Sequence, residues 1–262
     1  MSRLPVVFVS HGAPDALLKA PEAVACWRGI GRDIPRPAAI LAISAHWEAR
    51  QPTASLSGAP ETIHDFAGFA PALHAMQYPA PGAPALAERT VALLSAAGTA
   101  AELHPSRGLD HGAWVPLSAM FPQADVPVTQ LSLVRNASPA AHVALGQALA
   151  QLRDEGVLIL ATGSITHNFD WLDWQEAGDP VPQAQAFADW VADHASSGDA
   201  AALLDYRAAP HGAAAHPTEE HLLPFFVALG AANGDLPTRY RPPFAYGGLA
   251  MDVYVWQGDT GH

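Results

Sequence analysis

The sequence predicts an α/β fold in which a parallel sheet is covered by helices on both faces. Residues 39–47 form an apolar, β-rich run without a charged side chain, which is typical of a strand buried on both faces. Two other apolar runs also lead into a histidine: residues 6–10 precede His11, and residues 157–162 lead through a short turn to His167. Ligands bind beyond the carboxyl ends of strands in open α/β sheets. We therefore expect His11, His46 and His167 at one rim of the sheet.

Hydrophobic periodicity, turn residues and caps define the other elements. The predicted strands are residues 5–10, 128–133, 157–162 and 251–256, together with the run that begins at residue 39 and ends just before His46. The predicted helices are residues 21–30, 84–97, 138–153, 181–196, 199–205 and 217–232.

In the first half of the chain, Gly12 and Pro14 indicate a turn that ends the first strand. Leucine and valine at helical spacing define the helix at 84–97. Residues 50–82 are expected to be irregular, and loops of that length inside a compact domain are usually functional. Residues 107–114 are rich in turn formers and are predicted as a connection.

In the second half, the alternating pattern of residues 128–133 predicts a strand. Ser138 is predicted as an N-cap, with Pro139 at the first helical position. Proline lacks a backbone N–H, but at this position the N–H has no partner within the helix, so no hydrogen bond is lost. Pro224 cannot occupy an undistorted helix interior, so we expect one turn and then a kink in the helix at 217–232.

Composition indicates a single globular domain over residues 1–262, because half of the residues are hydrophobic and no repeat, linker or charge run divides the chain. The net charge of −12 disfavours nucleic acid and anionic membrane as partners, since both require a basic surface. A small organic substrate is the better expectation. The oligomeric state is left open between a monomer and a small homo-oligomer.

Cysteine content and hydropathy predict a cytoplasmic protein. The single cysteine, Cys26, excludes an intrachain disulfide and suits a reducing compartment. No run of 18 apolar residues and no basic segment followed by a cleavage site is present, which argues against a membrane span and a secretory signal.

Histidine is the residue type that carries the functional signal, with 13 histidines against 13 lysines and arginines. Six of them are read as surface or structural residues: His74, His104, His142, His194, His211 and His262. His11, His46, His167 and His221 are candidate metal ligands, because neutral imidazole binds Zn, Fe, Ni or Cu and a catalytic metal commonly takes three protein ligands.

The segment 216–221 opens the last predicted helix and supplies the most distant candidate ligand. His221 is favoured over His216, which is the alternative helix cap. Glu219 and Glu220 either ligate, hold the second ring nitrogen of a ligand, or simply favour the first helical turn.

His111 follows Asp110, whose carboxylate could fix one tautomer of the ring for acid or base catalysis. Other catalytic motifs are absent from the sequence: there is no serine nucleophile elbow, Walker loop, dinucleotide-binding glycine motif or zinc-peptidase helix.

Seven segments together resemble one enzyme family, in the family's order and across nearly the whole chain. They are Ser10-His11-Gly12-Ala13-Pro14, Ser44-Ala45-His46-Trp47, Asp65-Phe66 with Gly68-Phe69, residues 78–82, Leu109-Asp110-His111-Gly112-Ala113-Trp114, Thr162-Gly163-Ser164 through His167-Asn168, and His216-Pro217-Thr218-Glu219-Glu220-His221. The chain resembles the DOPA-dioxygenase group of the class III extradiol ring-cleavage dioxygenases, the superfamily of the protocatechuate 4,5-dioxygenase β subunit.

The resemblance implies one α/β domain with a mixed, mostly parallel sheet and a non-haem metal site held by His11, His46 and His221. His221 stands where ring-cleaving relatives have a carboxylate ligand, so the site has three neutral imidazoles. That set suits Zn(II), plausible as the bound metal, as well as Fe(II), which the oxygen chemistry needs.

The resemblance also assigns roles on the substrate side. His167 is implied as the acid/base or as a fourth ligand, and His111 as a second catalytic histidine. Asp110, His216 and His64 are expected to bind substrate. The implied substrates are a small aromatic diol of the DOPA type and O2. His64, Ala67 and Ala13 replace the Tyr, aromatic residue and Ser that are frequent in the group, which bears on which catechol is bound.

Two other functions use the same histidines. One is a zinc hydrolase in which the metal activates water. The other is a non-catalytic protein that binds a metal or small molecule, with four histidines closing the coordination shell.

Overall fold

The protein contains one mixed sheet that organises all the strands of the described chain. The structure is a computed structural model, and it describes residues 3–175 and 179–257. Its strands are β1 (Val6–Ser10), β2 (Ala39–Ala49), β3 (Thr53–Ser55), β4 (Glu102–His104), β5 (Val128–Val134), β6 (Val157–Gly163), β7 (Thr238–Tyr240) and β8 (Val253–Trp256).

The strand order is β4-β3-β5-β2-β6-β1-β8-β7, with a parallel core of β5, β2, β6 and β1. Strand β8 runs antiparallel to its two neighbours, β1 and β7, and β3 runs antiparallel to β5 and parallel to β4. The prediction of a mixed, mostly parallel sheet is confirmed.

The helices of the described chain are α1 (Ala16–Lys19), α2 (Pro21–Asp33), α3 (Pro71–His74), α4 (Pro84–Ala96), α5 (His111–Met120), α6 (Pro139–Leu149), α7 (Pro182–Ser197), α8 (Ala200–Leu204), α9 (Gly212–Ala215) and α10 (Leu223–Ala232). Short 3₁₀ turns lie at Ala150–Arg153, Phe169–Trp171 and Tyr206–Ala208. None of the helices in the described ranges has the length and hydropathy that crossing a membrane requires.

Two hydrophobic layers cover the two faces of the sheet. Val6 and Phe8 of β1 belong to one layer and Val7 and Val9 to the other, as the alternation of side chains along a strand requires. Helices α4, α6, α7 and α10 supply the first layer, and α2 and α5 supply the second. The described residues therefore form a single α/β domain.

The five predicted strands and most predicted helices are present, but two predictions for local structure are wrong. Residues 107–114 do not remain a connection, because α5 begins at His111, where the Asp110 carboxylate caps the N–H of Ala113. The last helix does not begin at residue 217; α10 starts at Leu223, so Pro224 lies in its first turn, where proline needs no kink.

The short strands β3, β4 and β7 were not predicted. Each has three residues, too few for a periodic pattern. Strand β3 lies inside the segment expected to be irregular. His262 and the rest of 258–262 lie outside the described residues.

Candidate metal and substrate site

His11 and His46 reach the same rim because β1 and β2 stop pairing with β6 at the same level of the sheet. Ser10 of β1 pairs with Gly163, and Ser44 of β2 pairs with Thr162, on either side of β6. His11 directly follows β1, and its N–H donates to the carbonyl of Gly163 at 2.9 Å.

The sequence predicted His46 just past the end of the strand, but the structure places it within β2. The pairing of β2 with β6 ends at Ser44, but pairing with β5 resumes at Glu48 after a register shift that follows Ile43. The hydroxyl of Ser44 accepts the N–H of His46 at 3.2 Å. An irregularity of this kind redirects a side chain at the end of a ladder, and here it carries the imidazole toward His11.

His221 is held against the end of β6 by its main chain. Its carbonyl accepts the N–H of Ser164 at 2.8 Å. A Cβ at Gly163 would overlap the same carbonyl, so glycine is needed for the approach. His221 thus enters the site from the turn that precedes α10.

The three histidines converge closely enough to share a metal ion. The Nε2 atoms of His11 and His46 are 3.1 Å apart, and ligand atoms of His11, His46 and His221 all lie within 4.8 Å of one another. Two nitrogens bound tetrahedrally to one ion at ordinary bond lengths would be about 3.3 Å apart. The donor set therefore fits a divalent cation.

Burial keeps these imidazoles in the neutral form that metal binding requires. It lowers the pKa of His11 and of His221 well below the usual value, and neighbouring histidines add to the effect. Burial, followed by the charge of His111, lowers the pKa of His46 to about 4.

Carboxylates lie beside the outer nitrogens of two of these rings, and the one beside His221 is within hydrogen-bond distance. Oε1 of Glu220 lies 2.9 Å from Nδ1 of His221, and Oδ2 of Asp65 lies 3.7 Å from Nδ1 of His46. A carboxylate on the far nitrogen fixes the tautomer that leaves Nε2 free for a metal. Glu219 instead bonds Tyr206 and Arg207.

The carboxylate partner of His111 is Asp65, which corrects the expected pairing with Asp110. Oδ1 of Asp65 accepts both the main-chain N–H of His111 at 3.0 Å and its Nδ1–H at 2.9 Å. Burial would raise the pKa of Asp65, but the hydrogen bonds and charge of His111 outweigh it and hold that pKa well below its usual range.

Asp110, His216 and His64 do not reach the cavity in the described structure. Asp110 is fully buried, caps α5 and accepts hydrogen bonds from Arg107 and Gln130. Nε2 of His216 lies 2.8 Å from the carbonyl of Ile165, and Nε2 of His64 lies 2.9 Å from that of Met76. Their expected substrate contacts would therefore have to be indirect.

His167 packs flat against His221, with ring centroids 3.4 Å apart and planes 7° from parallel. Its ligand atoms group with those of Glu220 and His221, and not with the set formed by His11 and His46. Burial lowers its pKa, against the raising effect of Glu220, so it too is neutral near pH 7.

A cavity of about 630 Å³ opens above this cluster. Five histidines line its inner end: His11, His46, His111, His167 and His221. Its outer wall is mainly apolar and includes Phe66, Phe69, Phe169, Leu172 and Trp174. The five described histidines that were read as structural are absent from the lining.

The close packing of α5 against the histidines depends on Gly112. A Cβ at this position would overlap the hydroxyl of Ser44, stand 2.8 Å from Cδ2 of His46 and 3.2 Å from Cε1 of His11. Any other residue would push the first turn of α5 away from the two rings.

A family model described as the catalytic LigB subunit of aromatic ring-opening dioxygenase matches residues 6–250. The chain belongs to this family. Membership confirms the resemblance to the extradiol dioxygenases. It also implies a metal cofactor, and the cluster of His11, His46 and His221 fits such a metal. The chain is accordingly an aromatic ring-opening dioxygenase.

Relatives within the LigB family extend over most of the chain. A 4,5-DOPA dioxygenase extradiol of Escherichia coli K12 is 38% identical over 239 residues, covering 90% of this chain and 88% of the relative. That of Beta vulgaris is 42% identical over 232 residues, covering 86% of each. The crystal structure of an uncharacterized E. coli K12 protein matches with a TM-score of 0.81 and 32% identity, covering 97% of this chain and 99% of that one.

Sequence reasoning assigned no role to Asp65, to Gly112 or to the aromatic residues at the mouth of the cavity. Asp65 and Gly112 stand within motifs that carried the family resemblance, which was the available signal. Phe169 and Trp174 left no sequence signal, because an isolated aromatic residue in a loop is equally compatible with packing.

Proposed function

We propose that this LigB-family enzyme uses Fe(II) to cleave the ring of a catechol-type substrate beside the diol, with O2 as co-substrate. The observation that carries the proposal is the convergence of three neutral imidazoles, those of His11, His46 and His221, at the inner end of a cavity. The relatives' names point to DOPA-like catechols. They also favour an oxygenase over a zinc hydrolase or a non-catalytic binding protein.

His11, His46 and His221 would hold the metal, and the hydrogen bond between His221 and Glu220 keeps that ring in place. Fe(II) supplies a redox-active centre at which substrate and oxygen can exchange electrons, whereas Zn(II) binds the same nitrogens without redox chemistry. Three neutral ligands leave the full charge of the cation available to stabilise an ionised catechol oxygen.

His167 is the proposed base. It is neutral because burial lowers its pKa, it lines the cavity, and it stacks on the proposed ligand His221. A neutral imidazole here can take the proton of one substrate hydroxyl and return it later in the reaction. We assign it as the base rather than as a fourth ligand, because its ligand atoms do not group with those of His11 and His46.

His111 is proposed to bind the other side of the substrate. Its Nδ1–H donates to Asp65, so Nε2 presents a lone pair to the cavity in the neutral ring. That nitrogen can accept a hydrogen bond from a catechol hydroxyl. Asp65 touches no substrate in this arrangement and acts as a positioning residue.

Oxygen uptake tests the proposal directly. Protein loaded with Fe(II) under anaerobic conditions and then given a catechol and air should consume oxygen stoichiometrically and form a yellow ring-opened product. The same protein loaded with Zn(II), and a His11→Ala variant treated with Fe(II), are the controls and should consume none. If the iron-loaded protein, with bound iron verified, takes up no oxygen across a panel of catechols, the oxygenase proposal fails.

Two further predictions accompany this function. The acidic net charge of −12 and the single Cys26 support a cytoplasmic enzyme with small-molecule partners and no nucleic-acid partner. The oligomeric state stays a prediction between a monomer and a small homo-oligomer.

A further inference from the structure

The cavity divides into a polar end and an apolar end. Apart from the histidines, Asp65 and two glycines, Gly12 and Gly68, the residues that line it have apolar side chains, among them Phe66, Phe69, Phe169, Leu172 and Trp174. No lysine or arginine contributes to the lining within residues 3–175 and 179–257. Asp65 is the carboxylate in the lining, and it is already paired with His111.

The mouth of the cavity exposes large aromatic rings. Phe169 is 65% exposed and Trp174 is 50% exposed, although both are costly to leave in water. Trp174 packs edge-on against Phe69, with ring centroids 6.4 Å apart, and it also packs against the ring of Tyr246. Contiguous exposed aromatic surface beside a cleft marks a binding surface, because a ligand that covers it removes that area from water.

The volume leaves room for more than a single aromatic ring. About 630 Å³ lies in the range of pockets that hold drug-sized ligands. A catechol whose hydroxyls face the histidines would direct a substituent on the opposite side of the ring toward Phe69, Phe169 and Trp174. The polarity of these side chains then determines which substituents bind favourably.

Resting on the proposed function, we propose that this cavity selects catechols with an uncharged, apolar substituent at carbon 4 over catechols whose side chain carries a carboxylate. An alkyl or aryl group buries apolar area against the aromatic mouth. A carboxylate would lose water beside apolar side chains with no described cation to pair with it. The net charge of −12 opposes the approach of an anion as well.

A pair of substrates with chains of equal length isolates the carboxylate. The iron-loaded enzyme is assayed with 4-propylcatechol and with 3-(3,4-dihydroxyphenyl)propanoate, and L-DOPA is included as the amino-acid catechol. We expect kcat/KM for 4-propylcatechol to exceed that for each of the two carboxylated catechols by at least fivefold. A smaller ratio, or a preference for either carboxylated substrate, overturns the inference.

A charge added at the wall provides an independent test. Ala67 lines the cavity on an exposed loop, so a longer side chain can be accommodated there. Ala67→Arg should raise kcat/KM for the propanoate relative to 4-propylcatechol at least fivefold, whereas the uncharged control Ala67→Gln should leave that ratio unchanged. An equal response of the two variants contradicts the role assigned to charge.

Binding to the zinc-loaded protein separates this inference from the proposed reaction. Zn(II) supports no turnover with oxygen, so calorimetry reports the Kd of each catechol, and the same fivefold preference for 4-propylcatechol is expected. If the iron enzyme turns over no catechol, the proposed function fails and the Kd ratio alone decides the selectivity. A Kd ratio below fivefold overturns the selectivity even when turnover is observed.

Discussion

At the scale of single residues, the two nitrogens of each imidazole in the site have different surroundings. Where a carboxylate bonds one nitrogen, the other is the one that can bind a metal or a substrate. Nδ1 of His221 faces Glu220 and Nδ1 of His111 faces Asp65, which leaves the Nε2 atoms for a metal or a substrate. Nδ1 of His11 is buried and has no hydrogen-bond partner within the described chain. Ligand and base should therefore respond differently to substitution.

Alanine at the three proposed ligands should remove the metal, while alanine at the proposed base should not. His11→Ala, His46→Ala and His221→Ala each delete one of three nitrogens, so we expect near-complete loss of metal after dialysis, measured by mass spectrometry. His167→Ala should retain the metal and lose activity. His194→Gln, on α7 and outside the cavity lining, is the control and should change neither. Full metal retention in any of the three ligand variants contradicts the assignment.

Asp65→Asn tests whether Asp65 orients His111. The amide oxygen can still accept the main-chain N–H of His111, but it no longer holds Nδ1–H by charge. We expect kcat to fall by about a hundredfold with little change in KM or in metal content. Nitrogen NMR of His111 should show a mixture of tautomers.

The exposed Asp170→Asn serves as the matched control for this variant. It should leave kcat and the His111 spectrum as they are in the wild type. A loss of metal in Asp65→Asn, or an unchanged His111 tautomer, would argue against a positioning role.

At the scale of elements, the site depends on one strand extension and on two places where only a glycine leaves room for the neighbouring segment. Strand β2 continues past its pairing with β6, the turn before α10 meets Gly163, and α5 presents Gly112 to His11 and His46. The helix α5 starts at this point because Asp110 caps it.

Gly112→Ala should weaken metal binding without unfolding the protein. The added methyl group would meet the Ser44 hydroxyl and the His46 ring, so one of the two must move. We expect metal affinity to fall by about tenfold or more, measured by competition with a chelator. Gly58→Ala is the matched control, because no atom lies within 4 Å of a Cβ there. Equal affinities in the two variants would contradict the steric argument.

The hydrogen bonds of His142, which join α6 to β5, should make the free energy of unfolding sensitive to acid. Nε2 of His142 accepts the N–H of Val134 and Nδ1–H donates to the carbonyl of Ser138, so both bonds need the neutral ring. Burial lowers the pKa of His142. The unfolded chain therefore binds more protons just below pH 6.5, and the stability contribution is lost as the pH falls.

Urea unfolding of the metal-free protein between pH 7 and 5 measures this effect. As the pH falls, the free energy of unfolding of the wild type should drop by up to about 1.4 kcal/mol more per pH unit than that of His142→Gln. The glutamine amide can make both contacts at either pH. Parallel pH profiles for the two proteins would show that His142 does not contribute.

At the scale of the whole molecule, the metal would join segments that are far apart in the chain. The proposed ligands follow β1, lie within β2 and precede α10, so the site exists only in the folded protein. Binding energy at such a site adds to folding stability.

Removal of the metal should accordingly lower the melting temperature. A free metal concentration one hundredfold above Kd stabilises the native state by about 2.7 kcal/mol, and calorimetry with and without a chelator measures the shift. His221→Ala should show no such shift at the same metal concentration. An equal response of the wild type and this variant would place the stabilising metal elsewhere.

The strands that carry the site were predictable, since a buried parallel strand appears as a long apolar run. That signal located His11 and His46 at one rim, and the family motifs added His221. The helix α5 was not predictable in the same way, because its start contains Gly112 and its interior contains Pro116. Both residues oppose a helix locally, and the cap and the surrounding core outweigh them.

The sequence by itself determined the fold class, the family and the histidines proposed to bind the metal, because these depend on patterns along the chain. Only the tertiary structure decided that His111 bonds Asp65, 46 residues away, rather than its neighbour Asp110. It alone also showed the apolar mouth of the cavity. Contacts between distant segments depend on how elements pack, and local residue order does not specify that packing.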